Sequence, residues 1–98
     1  MKIPDQLKGN EIKLSSIGLS GVAWKYEDAL ILIEYCEDNE VFILGGDVLA
    51  KDGNQYRHNY DNWYFNKNQG GYKDSIKKSK EYIANYPSGD YVFVFVMA

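Results

Sequence analysis

The chain has 98 residues, of which 45% are hydrophobic and 26% charged, a composition typical of a globular protein and not of a disordered one. That length corresponds to a single domain over residues 1–98, with one hydrophobic core and little room for a deep substrate cavity. The net charge of −3 argues against a nucleic-acid partner, because affinity for nucleic acid depends on neutralising phosphates. Residues 1–49 carry four lysines against nine acidic residues, which would suit a partner that is itself basic.

The cysteine content and the start of the chain indicate where the protein resides. Cys36 is the only cysteine, so an internal disulfide is impossible. The first five residues lead into a polar stretch, which is unlike the apolar run of a signal peptide. The longest apolar run, residues 91–98, is too short to cross a bilayer. We therefore expect a soluble, cytoplasmic protein that has no membrane partner.

The first half of the chain predicts a strand, a helix and a second strand. Ile12 and Leu14 alternate with charged neighbours, which indicates a short strand. A loop at residues 18–21 follows, and a helix is predicted over residues 26–38 because apolar side chains recur there at helical spacing. Residues 41–44 form an unbroken β-favouring run. The core-facing side of the helix is predicted to contain Tyr26, Ala29, Leu30, Leu32, Ile33 and Cys36.

The second half predicts a hairpin, a second helix and a last strand. The Asp52-Gly53 pair indicates a turn before a return strand over residues 56–66. A helix is predicted over residues 74–86, with Ile76, Ser79, Ile83 and Tyr86 on one face. The last strand, residues 91–96, is apolar on both faces and is therefore expected inside the sheet. The predicted fold class is α+β, with two helices packed on one mainly antiparallel sheet in the order β-α-β-β-α-β.

Residues suited to catalysis or metal binding do not form a recognisable motif. His58 is the only histidine, and its nearest acids in sequence, Asp52 and Asp61, match no catalytic spacing. Cys36 lies on the apolar face of the predicted helix, without a basic neighbour to lower its pKa. No residue is predicted to be catalytic, cofactor-binding or metal-binding, and no cofactor is expected. The alternative is a small hydrolase or ligand-binding domain that uses Asp47, His58 and Asp61, which a pocket joining the three would favour.

A glycine pair within the predicted strand region is the most unusual local sequence. Gly45 and Gly46 allow a β-bulge or a close approach of another backbone segment. Asp47, which follows them, can accept hydrogen bonds from backbone N–H groups that such a bulge leaves free. We expect these three residues to be structural.

The aromatic segment 60–64 has two different faces on a strand. Tyr60, Asn62 and Tyr64 share one face, and Trp63 lies on the other. Trp63 is expected to pack in the core. The opposite face would be a wall of aromatic and amide side chains, which the chain itself covers or which a partner contacts.

The outward face of the first helix combines carboxylates with two apolar side chains, an unusual choice for positions that face solvent. A loop or the N-terminal segment covers them, or they form an apolar anchor ringed by acids that contacts a basic partner. We take these residues as candidates for partner binding and refer to them as the acidic helix surface: Glu27, Ile31, Glu34, Tyr35 and Asp38.

Six segments in order along most of the chain carry a family resemblance: Val22-Ala23-Trp24, Glu27-Asp28-Ala29-Leu30, Ile43-Leu44-Gly45-Gly46-Asp47-Val48, Asp52-Gly53, Tyr60-Asp61-Asn62-Trp63-Tyr64, and Ser79 with Tyr82-Ile83. Together they resemble the immunity protein 40 family of bacterial polymorphic toxin systems. The signature positions expected to be structural are Trp24, Gly45, Gly46, Asp47, Trp63 and Tyr64. The resemblance implies a cytoplasmic protein that binds and neutralises a cognate toxin without catalysis. It leaves the toxin's activity and the oligomeric state open.

Overall fold

The computed structural model describes residues 3–14 and 21–98. Its elements in chain order are a turn of 3-10 helix (Asp5–Leu7), β1 (Ile12–Lys13), β2 (Val22–Lys25), α1 (Tyr26–Asp38), β3 (Ile43–Asp52), β4 (Gln55–Tyr64), α2 (Tyr72–Ala84) and β5 (Tyr91–Met97). The five strands form one sheet in the order β1-β2-β5-β3-β4, and every neighbouring pair is antiparallel. The predicted α+β class with two helices is confirmed. The predicted loop at residues 18–21 lies, apart from Gly21, outside the described residues.

The predicted element order is wrong in one respect, because a second strand precedes the first helix. β2 pairs with β1 on one side and with β5 on the other. Its residues Ala23 and Trp24 are both buried, but on opposite faces of the sheet. A four-residue segment is too short to show alternation, and it forms a strand because β5, far along the chain, supplies hydrogen bonds.

α1 begins and ends at the predicted residues, Tyr26 and Asp38. Its apolar side chains recur at helical spacing, and this periodicity sets which side faces the sheet. Tyr26, which was predicted to face the core, is instead 42% exposed. The buried side chains of α1 are Ala29, Leu32, Ile33 and Cys36.

α2 begins at Tyr72 and ends at Ala84, two residues earlier at each end than predicted. The carboxylate of Asp74 accepts a hydrogen bond from the backbone N–H of Gly71 at 3.1 Å, which stabilises the first turn. The hydroxyl of Ser75 accepts a hydrogen bond from the Ile43 N–H at 3.1 Å and thereby joins α2 to β3. As predicted, Ile76, Ser79 and Ile83 are buried.

β5 and β3 are interior strands of the sheet, and β4 is an edge strand. β5 lies between β2 and β3, so its predicted interior position is confirmed. β3 is ten residues long and continues through both glycines, beyond the predicted segment 41–44. β4 lies at the edge and is joined to β3 by a tight turn at which Gly53 has φ +63°, as the Asp-Gly pair predicts.

The helices cover one face of the sheet, and the main core lies between them and the strands. Trp24, Val48, Trp63 and Phe93 are strand residues of this core. A smaller cluster of Leu14, Ala23, Leu49 and Val92 lies on the opposite face. Both faces of the sheet therefore bury apolar side chains, but the larger share lies under the helices.

Candidate functional site

The acidic helix surface lies on α1, with three exposed carboxylates and two half-buried apolar side chains. Glu27, Glu34 and Asp38 are exposed, whereas Ile31 and Tyr35 are half-buried. Ile31 packs against the main core, so less of it is open to a partner than the sequence indicates. Tyr35 is therefore the better candidate for an apolar anchor.

α1 has five acidic residues and no basic one, and the acids lie in its first turn and in its last two turns. Glu34, Glu37 and Asp38 lie in its last two turns, where the negative end of the helix dipole disfavours acids. Within residues 3–14 and 21–98, the acids that form salt bridges with lysine or arginine lie outside α1: Asp5 pairs with Lys8, and Asp52 pairs with Arg57.

A second candidate surface lies on the sheet face opposite the helices. We call it the exposed sheet face and define it by Asp47, His58, Asn62, Tyr64 and Val96. Asp47 pairs across strands with Asn62. Gly45 of β3 lies between Tyr64 of β4 and Val96 of β5, with which it pairs on its two sides. The side chains of Tyr64 and Val96 are 68% and 49% exposed. Amide, carboxylate, imidazole and apolar groups are therefore side by side on this face.

A β-bulge in β4 brings the imidazole of His58 towards Asp47. Between His58 and Asn62 the strand has two more residues than the facing stretch of β3 from Asp47 to Leu49. The extra length includes Tyr60, whose φ of +68° is in the left-handed region and whose side chain is 86% exposed. His58 Nε2 lies 3.4 Å from Asp47 Oδ1 as a result.

The hydrogen bonds of His58 define its neutral tautomer. Its Nδ1 accepts the backbone N–H of Tyr60 at 2.9 Å, so the ring proton lies on Nε2, which faces Asp47. The sequence allowed Asp47 to accept hydrogen bonds from backbone N–H groups freed by a bulge, but the contact that the structure gives its carboxylate is with His58. Its carboxylate is partly exposed and contacts an imidazole across the strands because the bulge shifts the register.

Asp61, the third residue of the hydrolase alternative, lies on the other side of β4. The hydroxyl group of Tyr86 donates a hydrogen bond to Asp61 Oδ2 at 2.6 Å. The same hydroxyl oxygen accepts a hydrogen bond from Asn59 Nδ2 at 2.7 Å. The pKa of Tyr86 is raised to about 12, mainly by burial and to a lesser degree by the hydrogen bond to Asp61. Asp47 and His58 are thus close together, whereas Asp61 and Asn59 hold Tyr86, just after the end of α2, by two hydrogen bonds. We call this pair of hydrogen bonds the clamp.

The glycine pair and the tryptophans have packing roles. A methyl group on Gly46 would overlap the carbonyl oxygen of Val94 and the indole ring of Trp63, and one on Gly45 would overlap the Trp63 carbonyl. Gly45 also has φ +148°, which side chains rarely adopt. Trp24 and Trp63 are buried in the main core, as expected for structural positions, whereas Tyr64 is largely exposed.

Neither the lone cysteine nor the described acids form a reactive or metal-binding group. Burial raises the pKa of the Cys36 thiol to about 11, and its sulfur lies 3.6 Å from that of Met97. In the two described ranges, His, Cys, Asp and Glu side chains form no group of three or more that could hold a metal ion. No helix in the same ranges is long and apolar enough to cross a membrane.

The contact between Asp47 and His58 could not be read from the sequence. Strict alternation places residues of one strand on fixed faces, but it gives no cross-strand register. The bulge that sets the register depends on Tyr60 in a left-handed conformation, which a tyrosine rarely adopts. The only local signal is the Asn59 side chain, which accepts the N–H of Asp61 at 3.1 Å and so favours a turn inside the strand.

The fold and the site describe a small α+β domain that presents two surfaces of mixed polar and aromatic character. Residues 13–97 match the model of the immunity protein 40 family. The match covers most of the chain, and the protein belongs to this family. No curated protein and no solved structure matches it.

Proposed function

We propose that the protein is a cytoplasmic bacterial immunity protein of a polymorphic toxin system, which binds a cognate toxin and neutralises it by stoichiometric inhibition. The family match over residues 13–97 carries this proposal. An inhibitor needs a surface complementary to its target and needs no catalytic group, cofactor or metal. A 98-residue domain is large enough to provide such a surface.

The hydrolase alternative has weaker support. Its three residues would have to meet at one substrate. Asp47 and His58 lie on the exposed sheet face, whereas Asp61 accepts a hydrogen bond from Tyr86 on the helix side of β4. A base without a nucleophile beside it does not make a catalytic centre. We therefore propose that the protein acts by binding and not by catalysis.

The acidic helix surface is the proposed first contact with the toxin. Its exposed carboxylates, Glu27, Glu34 and Asp38, create a negative field that would accelerate association with a basic toxin. Acids in the last turns of α1 oppose the helix dipole, so a cationic side chain of the toxin would relieve an unfavourable interaction as it binds. Tyr35 would then supply the buried contact area that slows dissociation.

Co-expression tests this function directly. A strain that expresses the toxin encoded beside this gene should grow only when the protein is also present, and the two proteins should co-purify as a complex. A toxin variant that lacks its catalytic residue separates binding from toxicity and should still co-purify. Growth arrest in the presence of a folded protein would contradict the proposal.

A further inference from the structure

The outer edge of β4 has backbone groups that point away from the sheet. β4 pairs only with β3 in the sheet order, and Phe65 N–H donates a hydrogen bond to the Leu44 carbonyl at 2.8 Å. Facing residues of antiparallel strands alternate between hydrogen-bonded and non-bonded pairs. By this alternation Trp63 hydrogen-bonds to β3, whereas Asn62 and Tyr64 direct their backbone N–H and C=O groups outward. Such an edge is a template for an added strand.

The open part of the edge is short, because the chain satisfies the N–H groups on both sides of it. On one side, the bulge supplies side-chain acceptors for the N–H groups of Tyr60 and Asp61. On the other side, Gln69 Oε1 accepts the N–H of Asn66 at 2.7 Å. The remaining window is residues 62–64. Bulges at edge strands commonly prevent other chains from pairing there. A short unpaired segment between two segments whose N–H groups already have acceptors therefore favours a specific partner over non-specific aggregation.

A groove runs along this window, between β4 and α2. Its part beside the window has a volume of about 270 Å³ and is lined by Asn62, Trp63, Tyr64, Gln69, Lys78 and Tyr82. It continues along α2 past Glu81, Asn85 and Tyr86 through the shared residues Lys78 and Tyr82. We call it the edge groove. Its aromatic wall is rigid, because the Tyr82 ring stacks on the buried Trp63 ring with centroids 4.9 Å apart.

We propose that an extended segment of the toxin adds to the sheet as a strand at residues 62–64 and places alternate side chains in the edge groove. This inference rests on the proposed function, since the toxin supplies the segment. Main-chain hydrogen bonds to Asn62 and Tyr64 would provide affinity, and the groove would select the sequence. An apolar side chain fits against Tyr82, and a carboxylate or carbonyl group fits near the ammonium of Lys78, the one cation that lines the groove in the described part of the chain.

A second copy of the chain fits this edge less well. Two-fold antiparallel pairing of two β4 edges places both α2 helices on the same side of the joined sheet. Both edge grooves, each lined by a Lys78 ammonium group, then lie on the same side of the joined sheet, and like charges at an interface oppose association. A toxin segment that places a carboxylate or carbonyl group near Lys78 brings no such repulsion.

The test removes the outward N–H of Tyr64 without removing a bond to β3. Tyr64→Pro lacks that donor, and proline is tolerated at an edge position whose N–H faces outward. The preceding residue, Trp63, is already in a strand, which is the conformation that a following proline favours. Tyr64→Ala is the matched comparison, because it keeps the donor but also loses the Tyr64 side chain, which lines the edge groove. The difference between the two variants therefore reports on the N–H, and we expect Tyr64→Pro to raise the toxin Kd at least about fivefold more than Tyr64→Ala in isothermal titration calorimetry.

A second pair of variants tests the groove independently of any proline strain. Lys78→Glu reverses the charge inside the edge groove, and Lys77→Glu makes the same change at an exposed neighbour that does not line it. Lys78→Glu should raise the Kd at least about fivefold more than Lys77→Glu. If circular dichroism shows that Tyr64→Pro is unfolded, the comparison of Lys78→Glu with Lys77→Glu alone decides whether the toxin contacts the edge groove.

Four outcomes would overturn the inference. If the parent binds toxin and both Tyr64→Pro and Lys78→Glu bind equally well, the edge is not used, although the protein remains an immunity protein. If Tyr64→Ala loses as much affinity as Tyr64→Pro, the Tyr64 side chain and not its backbone N–H makes the contact, and no strand is added. A parent dimer in analytical ultracentrifugation that Tyr64→Pro dissociates would assign the edge to a second copy. If the parent fails to bind toxin at all, the proposed function fails as well.

Discussion

The indole N–H of Trp63 donates a hydrogen bond to the hydroxyl oxygen of Ser79, with Nε1 and Oγ 2.9 Å apart in the buried core. This bond ties the edge strand β4 to the middle of α2. Trp63 also contacts Phe95 of β5 edge-to-face, with ring centroids 5.7 Å apart. One side chain therefore joins an edge strand, a central strand and a helix.

Loss of the Ser79 hydroxyl should destabilise the fold. Ser79→Ala leaves the buried Nε1 of Trp63 without its acceptor, at a cost of about 1–3 kcal/mol in the free energy of unfolding. Urea unfolding followed by tryptophan fluorescence measures the change. Lys80→Ala, at an exposed position of the same helix, is the control and should stay within about 0.5 kcal/mol of the parent. An unchanged midpoint for Ser79→Ala would show that water replaces the hydroxyl.

Gly46 should not tolerate even the smallest side chain. In Gly46→Ala the added methyl overlaps a backbone carbonyl oxygen of β5 and the Trp63 ring, neither of which can move freely. We expect a loss of about 3 kcal/mol or more in stability, or no soluble protein. Gly71→Ala is the matched control, because its Cβ would meet nothing within 4 Å and its φ is −89°. Equal stabilities for the two variants would contradict the packing role of Gly46.

Alkaline pH should weaken the clamp between Tyr86 and Asp61. Burial and the hydrogen bond to Asp61 raise the pKa of Tyr86 from 10.0 to about 12 in the folded protein. A raised folded pKa means that this contribution to stability is fully present below the unfolded value and is lost as the pH rises through the window from about 10 to about 12. Unfolding free energies of the parent and of Tyr86→Phe at about pH 8 and about pH 11 test this linkage.

Tyr86→Phe should be less stable than the parent at about pH 8, since Asp61 and Asn59 lose their partner, but the gap should narrow at about pH 11. The Cys36 thiol, whose pKa burial raises to about 11, adds a loss of the same sign in both proteins. A gap that stays constant over this range would mean that Tyr86 titrates alike in the folded and unfolded states.

The two kinds of residue on the acidic helix surface should affect different rate constants. Glu34→Lys should slow association with a basic toxin by about three- to tenfold at low salt, and Glu34→Gln by less, because charge acts mainly through long-range attraction. The difference from the parent should shrink as salt screens it. Tyr35→Ala should instead speed dissociation, because a buried contact is lost. Surface-binding kinetics at two salt concentrations separate these effects, and parent-like kinetics for all three variants would exclude this surface.

Local patterns were sufficient to predict the parts of the fold that depend on nearby residues. The bounds of α1 follow from its helical periodicity, and the interior position of β5 follows from a run that is apolar on both faces. Trp63 was likewise expected in the core, because a large aromatic side chain buries much apolar area, and it is buried there.

Features that depend on distant pairing were missed or misjudged. β2 is a strand because β5 lies beside it, and the contact between Asp47 and His58 exists because a bulge changes the register of β4. The same limit applies to Ile31, which helical spacing assigns to the outside but which packs against the core. Sequence patterns give the faces of an element, whereas the neighbours of each face are decided by the tertiary fold.

Titration of toxin activity with the purified protein tests the central claim most directly. The cognate toxin, identified as the product of the neighbouring gene, is held at a fixed concentration well above the expected Kd while the protein is added in steps. Stoichiometric inhibition predicts a linear fall of activity that reaches its minimum at one protein per toxin, with full recovery of active toxin when the complex is denatured and the toxin is refolded alone. Toxin activity that is unaffected by excess folded protein, or that is destroyed by substoichiometric amounts through a chemical change in the toxin, would contradict it.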